Sequence, residues 1–305
     1  MGKYILKRVA QSILVLLGIT AVVFFVLNLT GDVLDFMLPP GTSQEVYDEY
    51  TERLGLDDPL FVQYGRFLKN AIRGDFGESH FYREPALQVV LERLPATFAL
   101  AIAAFVIALA WGIPVGILSA YKRNSIVDTI ARVIAMLGQS LPSFWLGILL
   151  MLAFSVKLNW FPTYGSGSFR HLVLPAFALS TGTGATILRL LRSNMIDVLG
   201  QEYISVARAK GVHNFSLVAK HAFKNCLSSV LTIMGLQLAS LMSGALVIET
   251  VFSWPGVGRL LQQSILNRDF MVVEAGVCVI ACLFVFINLA VDLLYAVINP
   301  RIKYS

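Results

Sequence analysis

Long uncharged runs separated by short basic stretches dominate the chain. Such runs occupy 9–29, 94–121, 133–156, 171–188 and 225–248, and a sixth, 275–300, is broken only by Asp292. A helix rises about 1.5 Å per residue, so roughly 20 residues cross a hydrocarbon core of about 30 Å. The pattern therefore predicts six membrane-spanning helices. The weakest run is 171–188, which is short and holds Pro175, Gly182 and Gly184. Membrane helices tolerate Pro and Gly where neighbouring helices satisfy the backbone. The first run follows Lys3, Lys7 and Arg8 and has 21 residues. A signal-peptide core has roughly 7–15 and ends at a small-residue cleavage site. This run leads instead into "NLTGDVLDF" and reads as a retained helix.

The connections orient the spans. With the N-terminus inside, the inner segments hold fourteen Lys/Arg: Lys3, Lys7, Arg8, Lys122, Arg123, Arg132, Arg189, Arg192, Arg208, Lys210, Lys220, Lys224, Arg301 and Lys303. The short outer loops hold four, Lys157, Arg170, Arg259 and Arg268. That asymmetry fits the positive-inside rule and puts both termini in the cytoplasm. The connection at 30–93 is too long to vote on orientation. Its twelve Asp/Glu against six Lys/Arg make it an acidic outer loop. Within it Leu60, Phe61, Tyr64, Phe67, Leu68, Ala71 and Ile72 recur at helical spacing, with Arg66, Lys69 and Arg73 opposite. This predicts an amphipathic helix, either packed on its own membrane domain or serving as an outer docking platform. Pro85 is placed to open a further short helix before Pro95 and the second span.

Composition agrees. Hydrophobic residues make up 56% and charged residues 14%, with a mean hydropathy of +0.71. Soluble domains carry about 25% charge. The net charge of +5 is spread between apolar runs, which points to the membrane surface and away from nucleic acid. Cys226, Cys278 and Cys282 lie in or beside apolar runs and do not suggest a disulfide framework. Cys278 and Cys282 share a helix face, but no His joins them to complete a zinc set.

Motifs of chemistry are absent. The sequence has no G-x-x-x-x-G-K-[ST], H-E-x-x-H or G-x-S-x-G. Glu249 and Glu274 fall at predicted span ends. Asp292, one turn after Asn288, reads as a polar contact in preference to a proton relay. The small-faced "STGTGAT" suggests close helix packing, or the lining of a path. Ser140, Thr181, Thr183, Thr186 and Gln237 are the candidates for those two roles. In "ETVFSWPGVGRL", Trp254 sits at the depth of an interfacial aromatic belt, with Pro255 and Gly256 as a turn. The stretch "EYISVARAKGVHNFSLVAKH" at 202–221 is basic and rich in small residues. It reads as a cytoplasmic docking helix, with Ala207 and Gly211 allowing close approach and Arg208 and Lys210 able to meet acidic groups, or else as a solvated loop.

"EYISVARAKG" resembles the cytoplasmic loop of type I ABC-importer permeases, in which an Ala and a Gly stand four apart, as Ala207 and Gly211 do. More specifically, the chain is similar to the dipeptide, oligopeptide and nickel permease family. It extends to "LGLDDPLFVQYGRFL", "GDFGES", "LPSFWLGILL", "RHLVLPA", "ETVFSWPGVGRLL" and "NLAVDLLYAVINPRI", and so covers nearly the whole chain. Three features depart from the pattern. Thr30, Gly31, Asp32 and Val33 replace a Pro-Gly-Asp-Pro, Ser205 stands where the loop motif has an acid, and the closing Ile-x-Leu-Pro is missing.

The resemblance implies an all-α integral membrane protein with six transmembrane helices and the type I importer permease fold. The first part would be 1–30, followed by an extracytoplasmic helical loop at 31–93 and a core at 94–305 containing a coupling loop at 193–224. It implies a non-catalytic subunit of the bacterial inner membrane that binds no cofactor. ATP would be held by two cytoplasmic ATPase subunits, in contact with Glu202, Tyr203, Ala207, Arg208, Ala209, Lys210 and Gly211. A homologous second permease and an extracytoplasmic solute-binding protein, the latter touching Arg66 and Lys69, would complete the machine in its lipid. Peptides are the expected cargo, with nickel chelates or glutathione as alternatives. The absence of a metal-ligand cluster in the sequence favours peptides. An ion-coupled secondary transporter or a receptor without transport are the competing classes.

Overall fold

The structure, a computed structural model, describes residues 2–30 and 42–298. The departure at 31–33 and the charges Arg301 and Lys303 lie outside them. Among the described residues every regular element is helical, apart from an isolated bridge between Glu78 and Pro85. Among the described residues five helices are long and apolar enough to cross a membrane: α1 (Gly2–Thr30), α4 (Ala86–Tyr121), α7 (Phe169–Leu199), α9 (Phe223–Val251) and α11 (Phe270–Ile298). A bent pair, α5 (Ile126–Ser140) and α6 (Ser143–Leu150, continued as a π-helix through Lys157), adds a sixth crossing if the two count as one span. Shorter helices include α2 (Gln44–Leu54), α3 (Leu60–Ile72), α8 (Glu202–Ala209) and α10 (Val257–Leu266).

Contacts divide the chain into two compact units, 1–96 with 255–286, and 97–254 with 287–305. The division differs from the sequence-based boundaries at 30 and 93 because α10 and the start of α11 share a unit with the first span.

In the first unit α3 lies on α1. The Tyr64 hydroxyl donates to the Leu17 carbonyl at 3.0 Å and pairs with Thr20 Oγ1 at 3.0 Å. The Phe24 ring centroid is 5.5 Å from that of Tyr64 and 5.6 Å from that of Phe67. The aromatic stripe therefore packs on the chain's own first span, though Phe61 and Ile72 stay exposed. A second core gathers Val89, Val90, Leu260, Leu261, Val272 and Ala275. Beside it Asp269, buried, accepts from Ser79 Oγ at 2.5 Å and stands one residue before α11. This gives "GDFGES" a structural purpose: its last residue ties the turn to the start of α11. Gly77 in the same turn has φ +81°, a conformation that favours glycine.

Three expectations about the helices are corrected. No separate helix opens at Pro85; α4 starts at Ala86 and runs through Pro95. The run 133–156 is broken. Leu141 is extended at ψ 126°, and α5 and α6 meet at 106°. Pro142 explains the break, since a residue before proline is driven out of the helical region and Pro itself donates no N–H. Finally, α7 does not stop at Leu188 but continues through Arg189 and Arg192 to Leu199. Trp254 is buried within the chain, and its backbone N–H donates to the Glu249 carbonyl at 2.8 Å. Glu249 is fully buried and accepts from Thr97 Oγ1 at 2.7 Å, a satisfied structural contact.

Candidate functional site

The second unit carries both candidate sites, and α7 connects them. Its C-terminal end leads through Gly200 and Gln201 into α8. This short helix has Glu202 in its first turn and Arg208 in its last, the signs that suit a helix dipole. It closes where Gly211, at φ +79°, donates to the Arg208 carbonyl at 3.0 Å and Val212 donates to Ala207 at 3.2 Å. No atom lies within 4 Å of where a Gly211 Cβ would stand, so the glycine is needed for its backbone conformation and its outer side is open.

One side chain holds α8 down. Ile204 is fully buried with Leu191, Met195, Leu217 and Cys226. Ala207 is half-buried against the same cluster. Its small size allows that packing within the chain. Tyr203 is exposed, and its hydroxyl accepts from Asn225 Nδ2 at 2.7 Å. Glu202, Val206, Arg208, Ala209 and Lys210 are exposed. Phe215, just beyond, is 76% exposed. The result is a small anchored helix with a mixed charged and apolar outer face.

Further back along α7 lies a cavity of about 330 Å³. Thr181, Thr183 and Thr186 of α7 line it together with Gln237 of α9, as do Gln139, Ser143, Ser240 and Gly182. Ser140 is not on the lining, although Gln139 and Leu141 on either side of it are. The helix ends there, and adjacent residues point different ways. Thr181 Oγ1 donates to the Ala178 carbonyl at 2.9 Å and Thr186 Oγ1 to Gly182 at 2.9 Å. Gln139 Nε2 donates to Thr186 Oγ1 at 3.3 Å. With their protons engaged by backbone, these hydroxyls offer acceptors, and the two amides offer both donors and acceptors. No charged side chain is among the described lining residues. The cavity suits a polar, neutral group.

The two glycines of "STGTGAT" separate. Gly182 lines the cavity, whereas Gly184 packs beneath the Trp111 ring and against α4. A Cβ on Gly112 would stand 2.8 Å from the Gly184 carbonyl oxygen, so the two helices touch backbone to backbone.

Comparison with known proteins fixes the family. The profile of the binding-protein-dependent transport system inner membrane component matches residues 112–304, and its N-terminal companion matches 1–101. The oligopeptide transport permease AppB of Bacillus subtilis is 40% identical, with both chains covered in full. The glutathione transport permease GsiC of Escherichia coli K12 is also 40% identical over the whole of both chains. The chain belongs to the binding-protein-dependent transport permeases. Its fold agrees with that of the MetNI methionine ABC transporter in inward-facing form, at TM-score 0.56 and 19% identity, over 70% of this chain and 97% of that one.

The remaining predicted residues of the permease lie on α3. Arg66 is engaged by the Asp58 carboxylate and lies 3.4 Å from the Gly55 carbonyl, while Lys69 is exposed. Sequence reasoning missed Asp128. Fully buried in the first turn of α5, it receives Ser119 Oγ at 2.7 Å, the Asn124 N–H at 3.0 Å, and Arg192 through Nε at 2.6 Å and Nη2 at 2.9 Å. In the sequence Arg192 and Arg132 read only as loop charges. The available signal was a lone acid, Asp128, in a basic stretch.

Proposed function

We propose that this permease forms one half of the pathway of an ATP-driven importer that takes up peptides delivered by an extracytoplasmic binding protein. The observation that carries the reading is the continuity of α7 with α8. One segment lines a neutral polar cavity and then ends in an anchored helix with its charged face outward. A second permease would supply the other half, and two ATPase subunits would receive α8 on the cytoplasmic side. Closure of the ATPases on ATP would draw the docking helices together and reverse the access of the pathway. The charge asymmetry of the loops favours cytoplasmic termini and the bacterial inner membrane. This subunit would neither bind nor hydrolyse ATP, and would not bind nucleic acid.

Peptide cargo is supported by the oligopeptide relative and by a cavity whose amides and hydroxyls match the hydrogen-bonding groups of a peptide backbone. The test is uptake in cells lacking the permease gene, complemented by the gene or by vector. Labelled di- and oligopeptides, glutathione and nickel are compared, each with and without orthovanadate. Restored, vanadate-sensitive peptide uptake is expected. Restoration of nickel or glutathione uptake alone would replace the cargo, and vanadate-resistant uptake abolished by an ionophore would overturn the ATP-driven mechanism.

A further inference from the structure

The Asp128–Arg192 cluster is not explained by docking or by a pathway. Asp128 is completely buried, and its carboxylate is shared among three elements: Ser119 of α4, the backbone before α5, and the Arg192 fork of α7. The placement of the pair along each helix is informative. On α7, Arg192 lies between the cavity threonines and α8, about 9 Å along the axis from Thr186. On α5, Asp128 is at one end, and Gly138 and Gln139 at the other end reach the cavity. That far end is also fastened to α7. A Cβ on Gly138 would stand 3.0 Å from the Ala185 Cβ, and Gln139 bonds Thr186. Two antiparallel helices are thus pinned at both ends, by an ion pair and by close packing. The docking helix is fastened to the same α7 through Ile204 against Leu191 and Met195.

We propose that Asp128 and Arg192 are positioning residues forming a closed joint, through which displacement of the docking helix moves both the α5 and the α7 walls of the cavity as one body. The inference rests on the importer reading above. The joint stays shut through the transport cycle, because opening it would leave a carboxylate buried without its counter-charge. Arg132, half exposed and 3.8 Å from the same carboxylate, is peripheral to it.

The test uses the transporter purified with its sister permease and ATPases and reconstituted in liposomes. Spin labels are placed at Val133 on α5 and at Asn214 beyond the docking helix, both exposed. Pulsed dipolar spectroscopy compares the nucleotide-free and the ATP–vanadate-trapped complex. The joint predicts one narrow distance, the same in both states. In Asp128→Asn the distance broadens and shifts on trapping, and substrate moved per ATP hydrolysed falls about tenfold. Arg192→Lys, which keeps the charge and loses the fork, lies between, and Arg132→Gln matches the parent. A distance that changes between states in the parent protein overturns the joint without reference to any variant. So does Asp128→Asn with full coupling. If the parent complex shows no ATP-driven uptake at all, the importer reading itself fails and the joint falls with it.

Discussion

The first span and α7 are opposite kinds of membrane helix. Only 11% of the apolar stretch of α1 is buried within the chain, against 61% for α7. Yet α1 is the more uniformly hydrophobic, while α7 holds Pro175, three threonines and Arg192. Lipid asks for apolar side chains all round. A helix surrounded by protein is released from that demand and can use small residues for backbone contact and polar ones for bonds. The span with the weakest hydropathy signal is therefore the one most enclosed by the rest of the chain.

This contrast can be broken by mutations ranked by their effect on stability. Asp128→Ala would leave Arg192 partly buried without its partner and should destabilise the permease by about 3–5 kcal/mol. Arg66→Ala, which breaks a pair exposed on both sides, should cost about 0–1 kcal/mol. Thermal unfolding of the purified complex measures both, and equal losses would remove the distinction. Gly184→Leu drives a side chain into Trp111 and should cost about 1–3 kcal/mol. Gly18→Leu in α1 meets nothing within 4 Å and should be neutral. A neutral Gly184→Leu would show that α7 is not closely packed. Arg208→Glu on the exposed face of α8 should change stability by less than about 0.5 kcal/mol. It should nevertheless abolish substrate-stimulated ATPase activity, and an unaffected activity would leave 202–209 as a solvated surface helix.

The smallest perturbation concerns Cys226, buried beneath α8 with Ile204, Leu191 and Met195. In the folded permease its alkylation at pH 8 should be far slower than that of an exposed cysteine. Rapid alkylation at pH 8, matching a detergent-unfolded control, would mean that the Ile204 cluster is loose.

What the sequence made legible follows the same division. The apolar runs located α1, α4, α9 and α11 because lipid contact imposes composition on every face of a helix. The short helix α8 was legible because its small and charged residues interrupt that composition. Packing specifics were less so. Gly184 and Gly182 look alike in "STGTGAT", and only the fold places one under Trp111 and the other in the cavity. Asp128 and Arg192 are 64 residues apart, so no local pattern joins them. The break at Pro142 was signalled by the proline, but a run of uncharged residues spoke louder. Ser140 and Gln139 differ by one position, which on a helix is a turn of about 100° and decides which of them reaches the cavity.

In the proposed importer α7 carries a water-accessible path whose opening is set by the ATPases, while α1 faces lipid. Replacing Cys226, Cys278 and Cys282 gives a background in which single cysteines at Gln237 or Thr181, lining the cavity, can be compared with one at Val15 on α1. In the assembled transporter a membrane-impermeant thiol reagent should label Gln237→Cys and Thr181→Cys from one side of the membrane without nucleotide. Labelling from that side should be lost when ATP and vanadate are trapped, and Val15→Cys should stay unlabelled in both states. Cavity cysteines that react identically in the two states, or that resist the reagent as Val15→Cys does, would contradict it.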